Sequence, residues 1–273
     1  MQILQDYFDM FRNLPPITKN LLIINILFYF AKIVFARYQI DLSHILGLHY
    51  ITASDFYIWQ PLTYMFMHAD LSHIFFNMFA VMMFAPALEE RWGSKRFLVY
   101  YLVTGLGAAV VQECVWALQL QPTLNSVNPL LASTLANKVV TIGASGAVFG
   151  ILMAFGWLFP DIRMYIMFIP IPIRARTLVI IYALIELIAG LAPISGDNVA
   201  HFAHLGGMIF GLALILWWRF RGYDGFESMS YGDSRLKQWI KQRWDQIRSK
   251  RPPRIKRDDD SKDYHDYHYH KPL

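Results

Sequence analysis

The stretch 141–158 begins Thr141-Ile142-Gly143-Ala144-Ser145-Gly146-Ala147-Val148-Phe149-Gly150 and stays apolar to Leu158. It sets one serine among small residues, in a segment long enough to enter a bilayer. Two other apolar stretches carry polar residues of the same kind, His73 with Asn77 and His201 with His204. Lipid offers such groups no water, so each is expected to have a partner or a function.

Composition indicates a membrane protein. The chain has 273 residues, of which 55% are apolar and 16% are charged, against roughly 25% charged residues in soluble domains. A spanning helix needs about 20 mostly apolar residues. We therefore predict an all-α polytopic membrane protein with six transmembrane helices, at residues 20–37, 68–88, 96–118, 141–160, 174–194 and 199–219.

Basic residues predict the orientation. Of the 25 lysines and arginines, all but Lys32, Arg37 and Lys138 lie in 1–19, 89–96, 161–176 or the stretch from Arg219 onward. Positive charge favours the cytoplasmic side, so both termini are predicted to be cytoplasmic, in a multi-pass protein of the bacterial plasma (inner) membrane. The net charge of +5 comes mostly from the tail and indicates an anionic lipid surface, not nucleic acid.

With this topology, His73, Asn77, Ser145 and His201 all lie near the outer ends of spans two, four and six. A serine hydroxyl becomes nucleophilic when a base takes its proton, and histidine is the usual base. We assign Ser145 as nucleophile and His201 as general base. Because no Asp or Glu near those outer ends is placed in a way that demands a triad, a dyad is the simpler hypothesis. Phe149, four residues after Ser145, is predicted to stack on His201.

The same arrangement predicts an oxyanion hole. The backbone N–H of Ser145 lies at a helix start, where N–H groups lack partners. His73 and Asn77, spaced i and i+4, are predicted to donate from span two. The small residues Gly146 and Gly150 on span four and Gly207 and Gly211 on span six predict close approach of these two helices.

Other polar residues leave alternatives open. His201 and His204 have the spacing of a metal pair, but no third ligand is evident, so we predict no metal and no cofactor and interpret His204 as a packing or hydrogen-bonding residue. Glu113 and Glu186 are intramembrane carboxylates of functional or structural use, and Glu186 is expected to be protonated or hydrogen-bonded. Glu89 and Arg91 are predicted to pair at the inner interface.

In these motifs the chain resembles the rhomboid family of intramembrane serine proteases. The resemblance covers about residues 20–220. It rests on G-x-S-G at 143–146, H-x-x-x-N at 73–77, A-H-x-x-H-x-x-G-x-x-x-G at 200–211, E-x-R-x-G at 89–93 and Trp59-Gln60.

The resemblance implies a six-helix bundle and a Ser145–His201 dyad, with an oxyanion site formed by His73 and Asn77 and with Gly143, Phe149 and His204 in support. It implies a serine endopeptidase that cleaves other membrane proteins in or near their transmembrane helices, without a cofactor. It also implies that span five and the loop 194–199 gate substrate entry.

The predicted organisation has four parts: a cytoplasmic segment 1–19, the membrane core 20–220, a basic amphipathic helix within 221–250 and a disordered polar tail 251–273. The amphipathic helix is predicted to lie on the membrane, with partner docking as the alternative. For the core, two other functions remain open: a rhomboid-like pseudoprotease that binds and routes membrane proteins, and a channel or transporter.

Overall fold

Helices make up most of the chain in the computed structural model, which describes residues 13–166, 169–192 and 199–223. In chain order the helices are α1 (Pro16–Ala36), α2 (Leu42–Leu46), α3 (Gln60–Thr63), α4 (Leu71–Trp92), α5 (Ser94–Gln119), α6 (Gln121–Ser126), α7 (Pro129–Lys138), α8 (Ser145–Leu158), α9 (Ala175–Leu191) and α10 (His201–Phe220). The strands of this part are β1 (Leu48–His49), β2 (Val140–Thr141), β3 (Arg163–Ile166) and β4 (Ile169–Arg174), paired antiparallel as β1–β2 and β3–β4.

Each predicted span coincides with one helix, namely α1, α4, α5, α8, α9 or α10. Within the described ranges, four helical segments are long and apolar enough to cross a membrane: Pro16–Ala36, Leu71–Trp92, Ser94–Ser126 and His201–Phe220. Helix α8 is apolar but has 14 residues, and α9 has 17. The mostly helical, membrane-spanning architecture thus agrees with the prediction, whereas six crossings and the orientation stay predictions.

Large apolar side chains are exposed on the outer faces of these helices. Leu27 and Phe30 on α1 are each 60% exposed, and Ile188 on α9 is 65% exposed. A contiguous apolar exterior is a liability in water and is favourable in lipid. The surface therefore suits a bilayer.

Glycines allow α5, α8 and α10 to pack with almost no space between their backbones. A Cβ on Gly207 of α10 would overlap the carbonyl oxygen of Gly146 on α8. The predicted close approach of these two helices is therefore confirmed at this pair. The other two glycines face α5 instead: Gly150 packs on Thr104, and Gly211 packs on the hydroxyl of Tyr100.

Polar side chains attach α1 to the rest of the bundle at both ends. Near its C-terminal end, the ammonium of Lys32 donates to the carbonyl oxygens of His68 and Ala69, at 2.7 and 2.6 Å. At its N-terminal end, the Glu89 carboxylate accepts hydrogen bonds from the backbone N–H groups of Ile17 and Thr18. Glu89 thus caps a helix start, and this is the role that the structure gives it in place of the predicted pairing with Arg91.

Three predictions concern residues outside the described part of the chain. They are the predicted gating loop 194–199, of which only residue 199 is described, the predicted amphipathic helix 233–250 and the predicted disordered tail 251–273. The segment 1–19 is described only from residue 13 onward.

Candidate active site

Ser145 is the first residue of α8 and follows a sharply constrained turn. Strand β2, which ends at Thr141, pairs with β1. Gly143 then adopts a φ of 138° and donates its N–H to the carbonyl of Tyr64 at 2.9 Å. Such a φ favours glycine, because a side chain there meets the backbone. The turn brings the serine to a helix start, where its N–H has no intrahelical partner.

His204 is the imidazole that lies against Ser145. Its Nε2 is 2.7 Å from the serine Oγ, and the ring is buried. His201, which the sequence analysis assigned as the general base, is directed elsewhere: its Nδ1 is 2.7 Å from Oε2 of Glu186. The hydrogen bond that could activate Ser145 therefore belongs to His204, and the assignment of His201 to this position is corrected.

The physical reason is the phase of helix α10. Gly207 is the residue that touches α8, and a residue on the same face must precede it by three or four positions. His204 meets that condition, whereas His201 lies six positions before Gly207 and points toward α9. Counting from the glycine that makes the helix contact would have selected His204 from the sequence.

Glu186 on α9 joins both histidines. Its Oε2 lies 2.8 Å from Nδ1 of His204 and 2.7 Å from Nδ1 of His201, and the side chain is only 9% exposed. The expectation that this carboxylate is hydrogen-bonded is met by these contacts. The acidic residue beside the imidazoles comes from α9, which is span five, and not from spans two, four and six, where the dyad hypothesis considered carboxylates.

Phe149 holds the ring of His204 from its face. The two rings stack with centroids 4.3 Å apart and planes inclined by 7°. The prediction placed this stacking on His201, and it is corrected for the same helical-phase reason. Phe149 follows Ser145 by one turn, so α8 supplies both the serine and the surface that orients its partner.

His73 approaches the serine from α4. Its Nδ1 accepts a bond of 3.4 Å from the N–H of Ala69, which leaves the ring proton on Nε2. A Cβ built on Gly143 would lie 2.8 Å from that Nε2 and 3.3 Å from Ser145 Oγ. Both atoms therefore border the same small space, which only a glycine leaves open.

Asn77 lies one turn further along α4 and is buried. Its side-chain amide donates to the carbonyl of His73 at 3.0 Å. One N–H of the amide is thus occupied within the helix, and a second N–H remains for a ligand.

Glu186, His201 and His204 also present three ligand atoms within 4.8 Å of one another. This is the third ligand that the sequence analysis lacked. A zinc ion would lie about 2.0–2.2 Å from each ligand atom and would separate the ligands from one another. Here the Glu186 oxygen lies 2.7 and 2.8 Å from the two imidazole nitrogens, which is the distance of a direct hydrogen bond. The geometry fits proton sharing better than metal ligation.

Comparisons with known proteins identify the same region. The family model described as Rhomboid domain matches residues 55–220. Rhomboid-like protease 3 of Toxoplasma gondii is 28% identical over 70% of this chain and 65% of its own length. Mitochondrial RHOMBOID-like protein 6 of Arabidopsis thaliana is 28% identical over 57% of this chain and 42% of its own length.

Rhomboid protease GlpG of Salmonella choleraesuis (strain SC-B67) is 29% identical over 58% of this chain and 48% of its own length. The chain thus spans less than two thirds of the length of these relatives. The matched region contains all of the residues that surround Ser145.

Proposed function

Because this chain belongs to the rhomboid family, as the match over residues 55–220 establishes, we propose that it is a serine endopeptidase that cleaves transmembrane proteins in or near their membrane-spanning segments. The family assignment confirms the resemblance noted in the sequence, and with the apolar helices it identifies an integral membrane protein. The observation that carries the proposed activity is the 2.7 Å separation between Ser145 Oγ and His204 Nε2.

The proposed reaction is acyl transfer through Ser145. As its Oγ attacks the carbonyl carbon of the scissile bond, the hydroxyl proton passes to His204 Nε2. The protonated imidazole then gives this proton to the leaving amine nitrogen as the C–N bond breaks. Water attacks the resulting serine ester by the same route, and the acid product and free serine are released.

The oxyanion of the tetrahedral intermediate is proposed to lie between α8 and α4. The backbone N–H of Ser145 and the Nε2–H of His73 are its nearest candidate donors, and the second amide N–H of Asn77 is a further one. Removing one such donor typically lowers kcat by roughly 10²–10³. Gly143 supports the site by leaving space between His73 and Ser145.

We further propose that six helices cross the membrane with both termini in the cytoplasm and the active site in the outer half of a bacterial inner membrane. The distribution of lysine and arginine supports this orientation. The basic segment 221–250 is proposed to contact anionic lipid on the cytoplasmic face, and 251–273 to be a separate polar tail.

The test is cleavage of a transmembrane substrate by purified protein in liposomes. Ser145→Ala is expected to abolish cleavage, and His204→Ala to reduce it by at least about 10²–10⁴-fold. Ser126→Ala is the matched control and should retain full activity, since among the described residues this exposed hydroxyl bonds only within its own turn, to the carbonyl of Thr123.

Cleavage that survives Ser145→Ala would refute the protease. Inactivity of the wild type, with substrate binding intact and no labelling by a fluorophosphonate, would favour the pseudoprotease alternative. If His201→Ala abolished labelling and His204→Ala spared it, the general base would be His201 and the geometric assignment would fail.

A further inference from the structure

One carboxylate oxygen of Glu186 lies between two imidazoles, and one of these imidazoles contacts Ser145. The distances are 2.8 Å to His204 Nδ1 and 2.7 Å to His201 Nδ1. A buried carboxylate is costly unless it is hydrogen-bonded, and the cost is greater within a membrane. Two ring N–H groups converging on one oxygen satisfy it as an acceptor.

This contact determines which nitrogen of His204 carries the proton. An ionised carboxylate can only accept, so Nδ1 must donate to it. In a neutral imidazole the other nitrogen, Nε2, is then an acceptor, and Nε2 is the atom that faces Ser145 Oγ at 2.7 Å. The tautomer selected by Glu186 is therefore the one that can take the serine proton. Stacking on Phe149 fixes the ring plane but cannot choose between tautomers.

We propose that Glu186 is a positioning residue that completes a Ser145–His204–Glu186 triad, in place of the serine–histidine dyad expected for this chain. Ser145 lies on α8, His204 on α10 and Glu186 on α9. Along the chain the order of the three residues is Ser, Glu, His. As His204 becomes protonated during the reaction, Glu186 stabilises the imidazolium through the same Nδ1–H bond. This inference rests on the proposed serine protease function.

His201 has a supporting part in the triad. It donates to the same Oε2 and its ring lies edge-on to that of His204, with centroids 6.4 Å apart. A second donor holds the carboxylate in place and keeps it an acceptor. Loss of His201 leaves the Glu186–His204 bond itself, so its effect should be smaller than the loss of Glu186.

The experiment measures kcat and KM for a transmembrane substrate, and the rate of fluorophosphonate labelling, in the whole 273-residue chain. Glu186→Gln keeps the size of the side chain and removes the charge. It is expected to lower kcat and the labelling rate together by roughly 10²–10⁴-fold with KM little changed. Glu186→Asp, which restores the carboxylate, should recover part of the loss.

Glu113→Gln is the matched control, since it changes another half-buried membrane carboxylate that bonds only to the N–H of Ile51 among the described residues. Its kcat should stay near that of the wild type. In a His204→Ala background, Glu186→Gln should cause no further loss, because Glu186 acts through that imidazole. Each rate is divided by the folded fraction of that variant, measured by thermal unfolding, so partial misfolding does not imitate the result.

The outcomes separate the two proposals. Full kcat in Glu186→Gln, with Ser145→Ala inactive, overturns the triad and leaves the protease standing. Activity in Ser145→Ala overturns the protease itself. Additional loss from Glu186→Gln in the His204→Ala background reveals a structural role and overturns the triad. Inhibition of the wild type by EDTA also overturns it, because the three atoms would then hold a metal ion.

Discussion

Gly143→Ala tests whether the space between His73 and Ser145 is used in catalysis. The new methyl group would lie 2.8 Å from His73 Nε2 and 2.9 Å from its Cε1, closer than carbon normally approaches either atom. The ring must move away from the serine, because the backbone of Gly143 is held by its bond to Tyr64. The substitution also places a side chain at a φ of 138°, which costs about 1–3 kcal/mol.

If His73 is an oxyanion donor, displacing it should lower kcat by roughly 10²–10³. The assay is turnover of a transmembrane substrate in liposomes, with the melting temperature measured in parallel. Gly93→Ala is the control: its φ is 81°, so the backbone is strained too, but apart from its chain neighbours no atom of the described residues lies within 4 Å of the added carbon. It should lose stability and keep kcat.

A stable Gly143→Ala protein with kcat within about threefold of the wild type would show that His73 is not an oxyanion donor. An equal loss of kcat in Gly93→Ala would show that backbone strain, not displacement of His73, is responsible. Either result would refute the claim that Gly143 keeps His73 close to Ser145 for catalysis.

Two further predictions concern stability. Gly207→Ala places a methyl group against the carbonyl of Gly146 and should destabilise the protein by about 1–3 kcal/mol. Gly190→Ala should cost less, because the three atoms nearest to its added carbon belong to the side-chain ring of Phe202, at 3.0 Å or more. Equal melting temperatures would contradict the close packing of α8 on α10. Burial lowers the pKa of His49 below its usual 6.5, so the unfolded chain binds a proton that the folded loop excludes, and stability present at neutral pH is lost as pH falls below about 6.5. The melting temperature should fall between about pH 7 and pH 5, and less steeply in His49→Gln; equal slopes would contradict this account.

The positions of the helices could be predicted because apolar runs bounded by charge and turn residues are a local property. Every predicted span coincides with a helix, although α8 begins four residues later than its span because β2 and the Gly143 turn occupy 140–143. A two-residue strand such as β2 has no periodicity of its own. Its pairing with Leu48 and His49 depends on contacts almost a hundred residues away in sequence, which no local pattern reveals.

The sequence predicts that spans two, four and six carry the candidate site, but two of the contacts at Ser145 cannot be assigned by listing reactive residue types. The choice between His201 and His204 depends on which face of α10 meets α8, and Gly207 decides that face. Glu186 was visible in the sequence as an intramembrane carboxylate. Its contact with His201 and His204 could not be predicted, because hydropathy does not show that α9 packs beside α10.

Helices α4 and α8, which both begin at the candidate site, differ in how their first N–H groups are capped, and this difference bears on where the oxyanion of the proposed reaction would bind. Helix α4 is capped by Asp70, whose carboxylate accepts from the N–H of His73 at 2.8 Å. Helix α8 follows Ala144, which has no polar side chain to offer, and no side-chain cap is formed there by the described residues. In the proposed reaction, the N–H groups and positive dipole end of α8, which carry no side-chain cap within the described residues, are therefore available to the negative charge that develops on the substrate. An acidic cap at that position would occupy the place of the oxyanion, which gives a physical reason for a small apolar residue immediately before the serine.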